Sequence, residues 1–464
     1  MDMSMSIMAA ETKQMWKIGL ESTIIPLGVP EVTAWREQNQ LTLRFSDITK
    51  LALHLPTHSG IRLDHTFNHE QLPLPGHYSC PIGVIEYEGR YFTLFDPEDK
   101  TDMEVYSGQR GWEWVWRTEE NQENLVLIWG QAESLAECVA LYRTYRPAGI
   151  VNKEFTAPIK RIITLDMMLS SGEISHRFDD ATALINDLAS RQLAEGTLIY
   201  IPGWCGPYDK DYPNYQPSEQ LGGEYGFTRM VETAKLERAC IMPHMNYWGY
   251  DPGLQLFDDK QLMEMQLRDE HGEPAGWAGP TSPFIYMRPD HLVWQNVLLE
   301  QISSFLAKYD VQAIMLDQIG FEIKDKRCDY KTGTNQILSH IRKLRPQLII
   351  SGETLNDELI SQVNLIQLWG MPWCGLDVDL TAFTSPLIKE LFPEVAFYGH
   401  LGLPAISEGK YTWTNHEYLR TKGIEAAFYA AQKHLQHMGG IPHVRLHDGS
   451  KGLDPISLNY LQSL

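Results

Sequence analysis

The sequence predicts an α/β protein, a (β/α)8 TIM barrel preceded by an N-terminal β-sandwich domain, and three observations predict it. The first 130 residues carry short alternating strands with little helical periodicity. From about residue 160, apolar runs alternate with amphipathic segments, which is the rhythm of βα units and a parallel sheet. Two of those runs stop abruptly on an acid: VQAIMLDQIG (311–320) at Asp317, and LIISGETLN (348–356) at Glu353.

Composition bounds the reading before any motif does. At 464 residues the chain has room for one large barrel and an added domain. Hydrophobic content of 43% with 21% charged residues is ordinary for a globular protein. A formal charge of -21, from 39 basic and 60 acidic residues, argues against nucleic acid or an anionic membrane as partner. Six cysteines at 80, 138, 205, 240, 328 and 374 show no CxxC or His-box spacing, so free thiols in a reducing compartment are expected. The opening MDMSMSIMAAETKQ lacks a basic n-region and a continuous apolar core, and no apolar run is long enough to span a bilayer. A cytoplasmic location follows as the expectation. The sequence carries no signal for oligomeric state.

Each element can be justified in order. LTLRF (41–45) and LALHL (51–55) alternate across a polar turn, and VIEYEGRYFTLF (84–95) reads as a hairpin turning at Glu88-Gly89. GWEWVWR (111–117) alternates aromatic with polar residues, and LVLIWG (125–130) closes the series. Such a Trp-rich sheet could bind sugar, but indoles on strands are more often core. A helix is expected over ESLAECVALYRTYRP (133–147), ended by Pro147 and Gly149. The domain division falls at residues 1–150 for the sandwich with its linking helix and 151–464 for the barrel.

Eight candidate barrel strands follow: 161–167, 197–203, 239–246, 311–317, 348–353, 365–369, 395–400 and 441–447. Between them, Phe178, Ala181, Leu184, Ile185 and Leu188 form one helical stripe, and Trp294, Val297, Leu298, Ile302, Phe305 and Leu306 form another. Thr414 and Glu417 have the spacing of a capping box opening a helix that runs to Gly439. A doubly wound sheet would also suit the alternation, but no GxGxxG follows the first strand.

In a barrel of this kind, function gathers at the C-terminal strand ends, where the βα loops meet. Strand one ends at Asp166, and strand two leads into Trp204, Tyr208 and Asp209. Strand three supplies His244, Asn246 and Trp248, then a long insertion to about residue 290 that is expected to act as a lid. Strand four supplies Asp317 and Gln318, strand five Glu353, strands six and seven Trp369 and His400, and strand eight Arg445. Acids and amides that hold hydroxyls, with aromatic faces that stack on pyranose C–H faces, make a surface suited to sugar. Asp166, Asp209, His244, Asn246, Gln318, His400 and Arg445 are the candidate polar contacts; Trp204, Trp248 and Trp369 are the candidate platforms, each with packing or capping as the competing role. No phosphate loop, HxH or HExxH appears, so neither cofactor nor metal is expected.

Retaining glycoside hydrolysis needs an ionised nucleophile and a protonated acid about 5 to 5.5 Å apart. Neighbouring barrel strands can supply that separation. Asp317 is the expected nucleophile and Glu353 the expected acid/base, its proton held by desolvation and by the charge on Asp317. A single strand-end acid serves as often to cap the following helix; two together in an aromatic setting favour chemistry.

A β domain ahead of a (β/α)8 barrel, with Asp317 ending strand four and Glu353 strand five, resembles the retaining α-glycosidases, which include the α-amylase and endo-α-N-acetylgalactosaminidase groups. The resemblance implies the same two roles for these two acids. The α-amylase pattern expects a third acid at strand seven, where this chain has GHLGLP (399–404), and 16 residues after Asp448 leave no room for the C-terminal β domain of many relatives. The α-galactosidase pattern places the acid/base after strand six, where Asp377 and Asp379 stand in CGLDVDL (374–380). Asp377 is therefore the alternative to Glu353. The expectation is a retaining α-glycosidase acting on a neutral oligosaccharide or glycoside, galacto- or N-acetylgalactosamino-configured. The alternatives are a transglycosidase on the same site and a non-catalytic carbohydrate-binding barrel.

Overall fold

The computed structural model describes residues 13–18, 29, 31–37, 39–46, 48–56, 60–65, 80–108, 111–118, 125–146, 153–269, 271–277, 284–321, 323, 325–354, 357, 359–368, 385–399, 423–446 and 451–464. The chain divides into two compact units, one of Met1–Ala148 with Met371–Pro393, the other of Gly149–Gly370 with Glu394–Leu464.

The first unit is a sandwich of two antiparallel sheets. Six strands pair in the order Lys13–Ile18, Leu125–Ala132, Arg90–Phe95, Ile82–Tyr87, Leu51–Leu55, Ile61–Leu63, and four in the order Val32–Glu37, Gln40–Phe45, Gly111–Thr118, Thr101–Gly108. The hairpin turns at Glu88 and Gly89, both at positive φ (47° and 78°), the backbone a two-residue turn needs to match strand twist. Trp112, Trp114 and Trp116 alternate along one strand, opposite Phe45, Leu43 and Leu41, and all three indoles are buried in the core the two sheets share. The Trp-rich strand is therefore packing, not a sugar surface. His54, whose Nδ1 lies 2.9 Å from Ser385 Oγ, and Gly60, whose carbonyl accepts from Ser385 N–H at 3.0 Å, tie the returning segment into this unit.

The second unit holds eight parallel strands, here β1 Arg161–Thr164, β2 Thr197–Ile201, β3 Cys240–Asn246, β4 Ala313–Asp317, β5 Ile349–Glu353, β6 Leu365–Leu368, β7 Ala396–Gly399 and β8 His443–Arg445. They run in the order β7-β6-β5-β4-β3-β2-β1-β8. Between the two end strands, Ile441 N–H donates to the Phe397 carbonyl at 2.6 Å, giving a barrel-like sheet. Strand side chains alternate, so one set of parity fills the interior. Ile162, Leu198, Met242, Ala313, Ile349 and Leu365 form its apolar floor, with Tyr200, Met315 and Tyr398 above.

The helices that face the barrel bury the stripes expected of them. Phe178–Ser190 buries Phe178, Ala181, Leu184, Ile185 and Leu188; Leu292–Lys308 buries Trp294, Leu298, Ile302, Phe305 and Leu306, with Val297 only half-buried. The helix Ile424–His437 is shorter at its start than the expected one, whose Thr414 capping box lies outside the described residues. The insertion after β3 is a small antiparallel sheet of Gly249–Tyr250, Phe284–Tyr286 and Gly276–Trp277 with the helix Asp259–Met265. Arg327, paired with Asp325, donates to the Gln266 carbonyl at 2.8 Å and fastens this insertion to the loop after β4. The five described cysteines are free thiols. Among the described residues no helix is long and apolar enough to cross a membrane.

Candidate active site

Strand parity delivers the two acids. Ala313, Met315 and Asp317 share one face of β4, as Ile349, Ser351 and Glu353 do of β5, and the register that pairs Leu316 with Gly352 sets the two acids side by side. A Cβ on Gly352 would lie 2.4 Å from Ile319 Cγ2, so only glycine lets the loop after β4 lie down over β5. Gly320 N–H then donates to the Glu353 carbonyl at 3.0 Å. Asp317 and Glu353 are 5% and 4% exposed.

Asn246, the register partner of Asp317 on β3, is oriented without ambiguity. Its Oδ1 accepts from Gly249 N–H at 2.6 Å and Trp248 N–H at 3.2 Å, so its amide N–H must face the other way, donating to Asp317 Oδ2 at 3.0 Å. Gln318 is held by the Trp248 indole N–H, which donates to its Oε1 at 3.1 Å. Trp248 is thus a buried strut wedged between Tyr247 and Tyr286.

His244 sits one layer below Asn246. Its Nδ1 is 2.7 Å from the Tyr200 hydroxyl, while its Nε2 is buried, without a hydrogen-bond partner among the described residues, 3.8 Å from Asp317 Oδ2. Burial lowers its pKa to about 3, so the ring is neutral. Asp209 enters from the loop after β2 at a left-handed φ of 64°. Burial, and then the charge of Glu353, raise its carboxyl to about 7. Burial, then Glu353 and Asp209, push Asp317 well above the usual carboxylate range, against a lowering pull from Asn246. One ligand atom each of Asp209, His244 and Asp317 lies within 4.8 Å of the others, close enough to embrace a substrate oxygen or a cation.

The remaining candidates separate. Arg445 Nε donates to Asp166 Oδ2 at 2.7 Å across the β8–β1 pair, so these two neutralise each other. Trp204 packs on Phe227 and Phe305 of the surrounding helices, and its indole N–H donates to the His244 carbonyl at 2.7 Å. Its expected platform role gives way to packing, because strand parity ends with β2 and the indole turns outward. Trp369, Asp377 and His400 lie outside the described residues. Sequence reasoning left out Tyr200, the phenol beneath the acids; its inward parity on β2 was the available signal. Tyr208, whose ring centroid is 4.9 Å from that of His244, lies in the loop after β2.

Residues 129–373, from the last strand of the six-stranded sheet past β6, match the model of the family described as "Domain of unknown function (DUF6259)". No curated protein matches the chain. Among solved structures, α-N-acetylgalactosaminidase NagBb from Bifidobacterium bifidum in complex with GalNAc is similar with a TM-score of 0.65 at 12% identity, over 94% of this chain and 85% of that one. The α-galactosidase TtGalA from Thermus thermophilus in complex with stachyose is similar with a TM-score of 0.62 at 10% identity, over 99% of both chains. At such identities the likeness is one of fold, a β-sandwich and a (β/α)8 barrel.

Proposed function

We propose that this chain, which belongs to the family described as a domain of unknown function (DUF6259), is a glycoside hydrolase that cleaves α-linked sugars by double displacement. The observation that carries the reading is the buried acid pair at the barrel mouth, with Asn246 donating to Asp317 Oδ2 at 3.0 Å. Two carboxyl groups this close cannot both ionise readily, so the pair tends to hold one proton. Asn246 donates to Asp317 and pulls its carboxyl down against burial and the neighbouring acids; in this reading Asp317 carries the charge at the moment of attack and Glu353 the proton.

Asp317 attacks the anomeric carbon while Glu353 gives its proton to the departing oxygen; Glu353 then takes a proton from the water that releases the sugar from Asp317. Retention calls for the two carboxyls to stand about 5 to 5.5 Å apart across the bound sugar, a separation that neighbouring strands can supply. Neutral His244 and Asp209 are placed to hold substrate hydroxyls. A galacto- or N-acetylgalactosamino-configured sugar is the favoured substrate, supported by the fold shared with the two solved structures whose names carry those sugars.

The test is a panel of aryl α- and β-glycosides assayed with wild type, Asp317→Asn, Glu353→Gln and Asp377→Asn, with the anomer of the first product followed by NMR. Loss of turnover in the first two variants and a retained anomer are expected. Activity surviving both changes would sink the assignment, and azide rescue of an Asp377 variant in place of a Glu353 variant would move the acid/base there. Sugar binding without turnover by the wild type would leave a carbohydrate-binding barrel.

A further inference from the structure

Two buried polar side chains lead in line to Asp317. Tyr200 on β2 places its hydroxyl 2.7 Å from Nδ1 of His244 on β3, and His244 Nε2 stands 3.8 Å from Asp317 Oδ2. Both rings are neutral, because burial keeps the proton on the phenol and a second proton off the imidazole. A neutral imidazole has one N–H and one lone pair, and the partners decide which nitrogen carries which. The Tyr200 hydroxyl has one hydrogen to donate, and among the described residues His244 Nδ1 is its hydrogen-bond partner. An N–H at Nδ1 would use up the phenol oxygen as acceptor and leave the buried phenol hydrogen without one. It would also set the Nε2 lone pair beside a carboxylate oxygen. With Tyr200 donating to Nδ1, the phenol is satisfied and Nε2 carries the hydrogen beside an acceptor.

We propose that Tyr200 is a positioning residue: by donating to His244 Nδ1 it fixes the tautomer whose Nε2–H stands beside Asp317 Oδ2, the oxygen that Asn246 also serves. The inference rests on the glycosidase reading above, in which Asp317 is the nucleophile, and deepens it. At 3.8 Å the contact is too long for a hydrogen bond in the free protein. A charged Asp317 nevertheless attracts a neutral N–H and repels a lone pair, and in a buried site that difference is little screened. The fixed tautomer therefore favours the carboxylate form that attacks, without adding a charge to the site.

The tautomer is read by proton–nitrogen NMR near neutral pH on protein with isotope-labelled histidine, the His244 signals being assigned by their loss in His244→Gln. In wild type, Nε2 should be the protonated nitrogen and Nδ1 the bare one; the reverse overturns the proposal whatever the activity. Tyr200→Phe should bring in the other tautomer, and an unchanged His244 spectrum in this variant would show that Tyr200 does not set it. On an aryl α-glycoside, Tyr200→Phe should lower kcat about three- to tenfold, the range of one hydrogen bond, with KM near wild type. Because Tyr200 acts through His244, the same change should cost little in a His244→Gln background, whose amide has no tautomer to set. Equal losses in both backgrounds would make Tyr200 a packing residue and overturn the role. If Tyr200→Phe fails to fold, the wild-type spectrum alone decides. A wild type that turns over no glycoside would remove the nucleophile reading and the role beside it, while the spectrum would still test the tautomer.

Discussion

Asn246 Nδ2 donates to Asp317 Oδ2 at 3.0 Å, and the two residues are register partners on β3 and β4. The bond is fixed from behind, because two backbone N–H groups occupy the amide oxygen of Asn246. If Asp317 is the nucleophile, as proposed, this bond fixes its aim and opposes the burial that raises its pKa. Replacing Asn246 by Ala removes the hydrogen bond that opposes the upward shift of the Asp317 carboxyl, so kcat should fall roughly 10-fold or more with a smaller change in KM. Steady-state kinetics on an aryl glycoside measure it; a change confined to KM would contradict the role.

Glu353→Gln should lose about 10²- to 10⁴-fold on substrates with poor leaving groups, the span expected of general acid catalysis. The loss should shrink for activated phenols, whose departure needs little protonation. A loss that ignores leaving-group acidity would take Glu353 out of the acid role.

Asp209 makes a prediction about stability against pH. Its folded-state pKa, raised from 3.8 to about 7, means that the native protein holds a proton there which the unfolded chain releases, so stability falls as pH rises from about 4 to 7. Asp209→Asn should therefore melt higher than wild type at pH 8, with the gain shrinking on acidification toward pH 4. Thermal unfolding across that range tests it. A constant offset would show that Asp209 does not titrate within it.

Arg445 and Asp166 form a largely buried ion pair, with side chains 16% and 7% exposed. Arg445→Ala strands the carboxylate and should destabilise by about 3–5 kcal/mol, whereas Arg445→Ala combined with Asp166→Ala should recover part of that loss. Denaturant titration of the single and double variants reads out the coupling.

Trp204→Ala should act on stability, costing about 3–5 kcal/mol through the space it opens beside Phe227 and Phe305. KM should stay near wild type, measured below the melting range. A large rise in KM with unchanged stability would restore the platform role.

The barrel could be read from the sequence because its strands are apolar on both faces and stand out as uninterrupted runs, such as AIML ahead of Asp317. The neighbourhood of Asp317 and Glu353 followed from counting strands, and His244 and Asn246 from their place at the C-terminal end of β3. Parity fails where strands stop, which is why the outward turn of Trp204 was not readable. The Arg445–Asp166 pair joins positions 279 residues apart through barrel closure, and no local pattern announces it. The assignment of Met371–Pro393 to the sandwich unit also escaped a division drawn at residue 150.

That returning segment constrains how the molecule is made. His54 and Gly60 meet Ser385 inside the sandwich unit, yet Ser385 is synthesised after the first six barrel strands. During synthesis the sandwich unit is complete only after most of the second unit has left the ribosome. No single cut in the polypeptide separates the two units, because each is made of two stretches of chain.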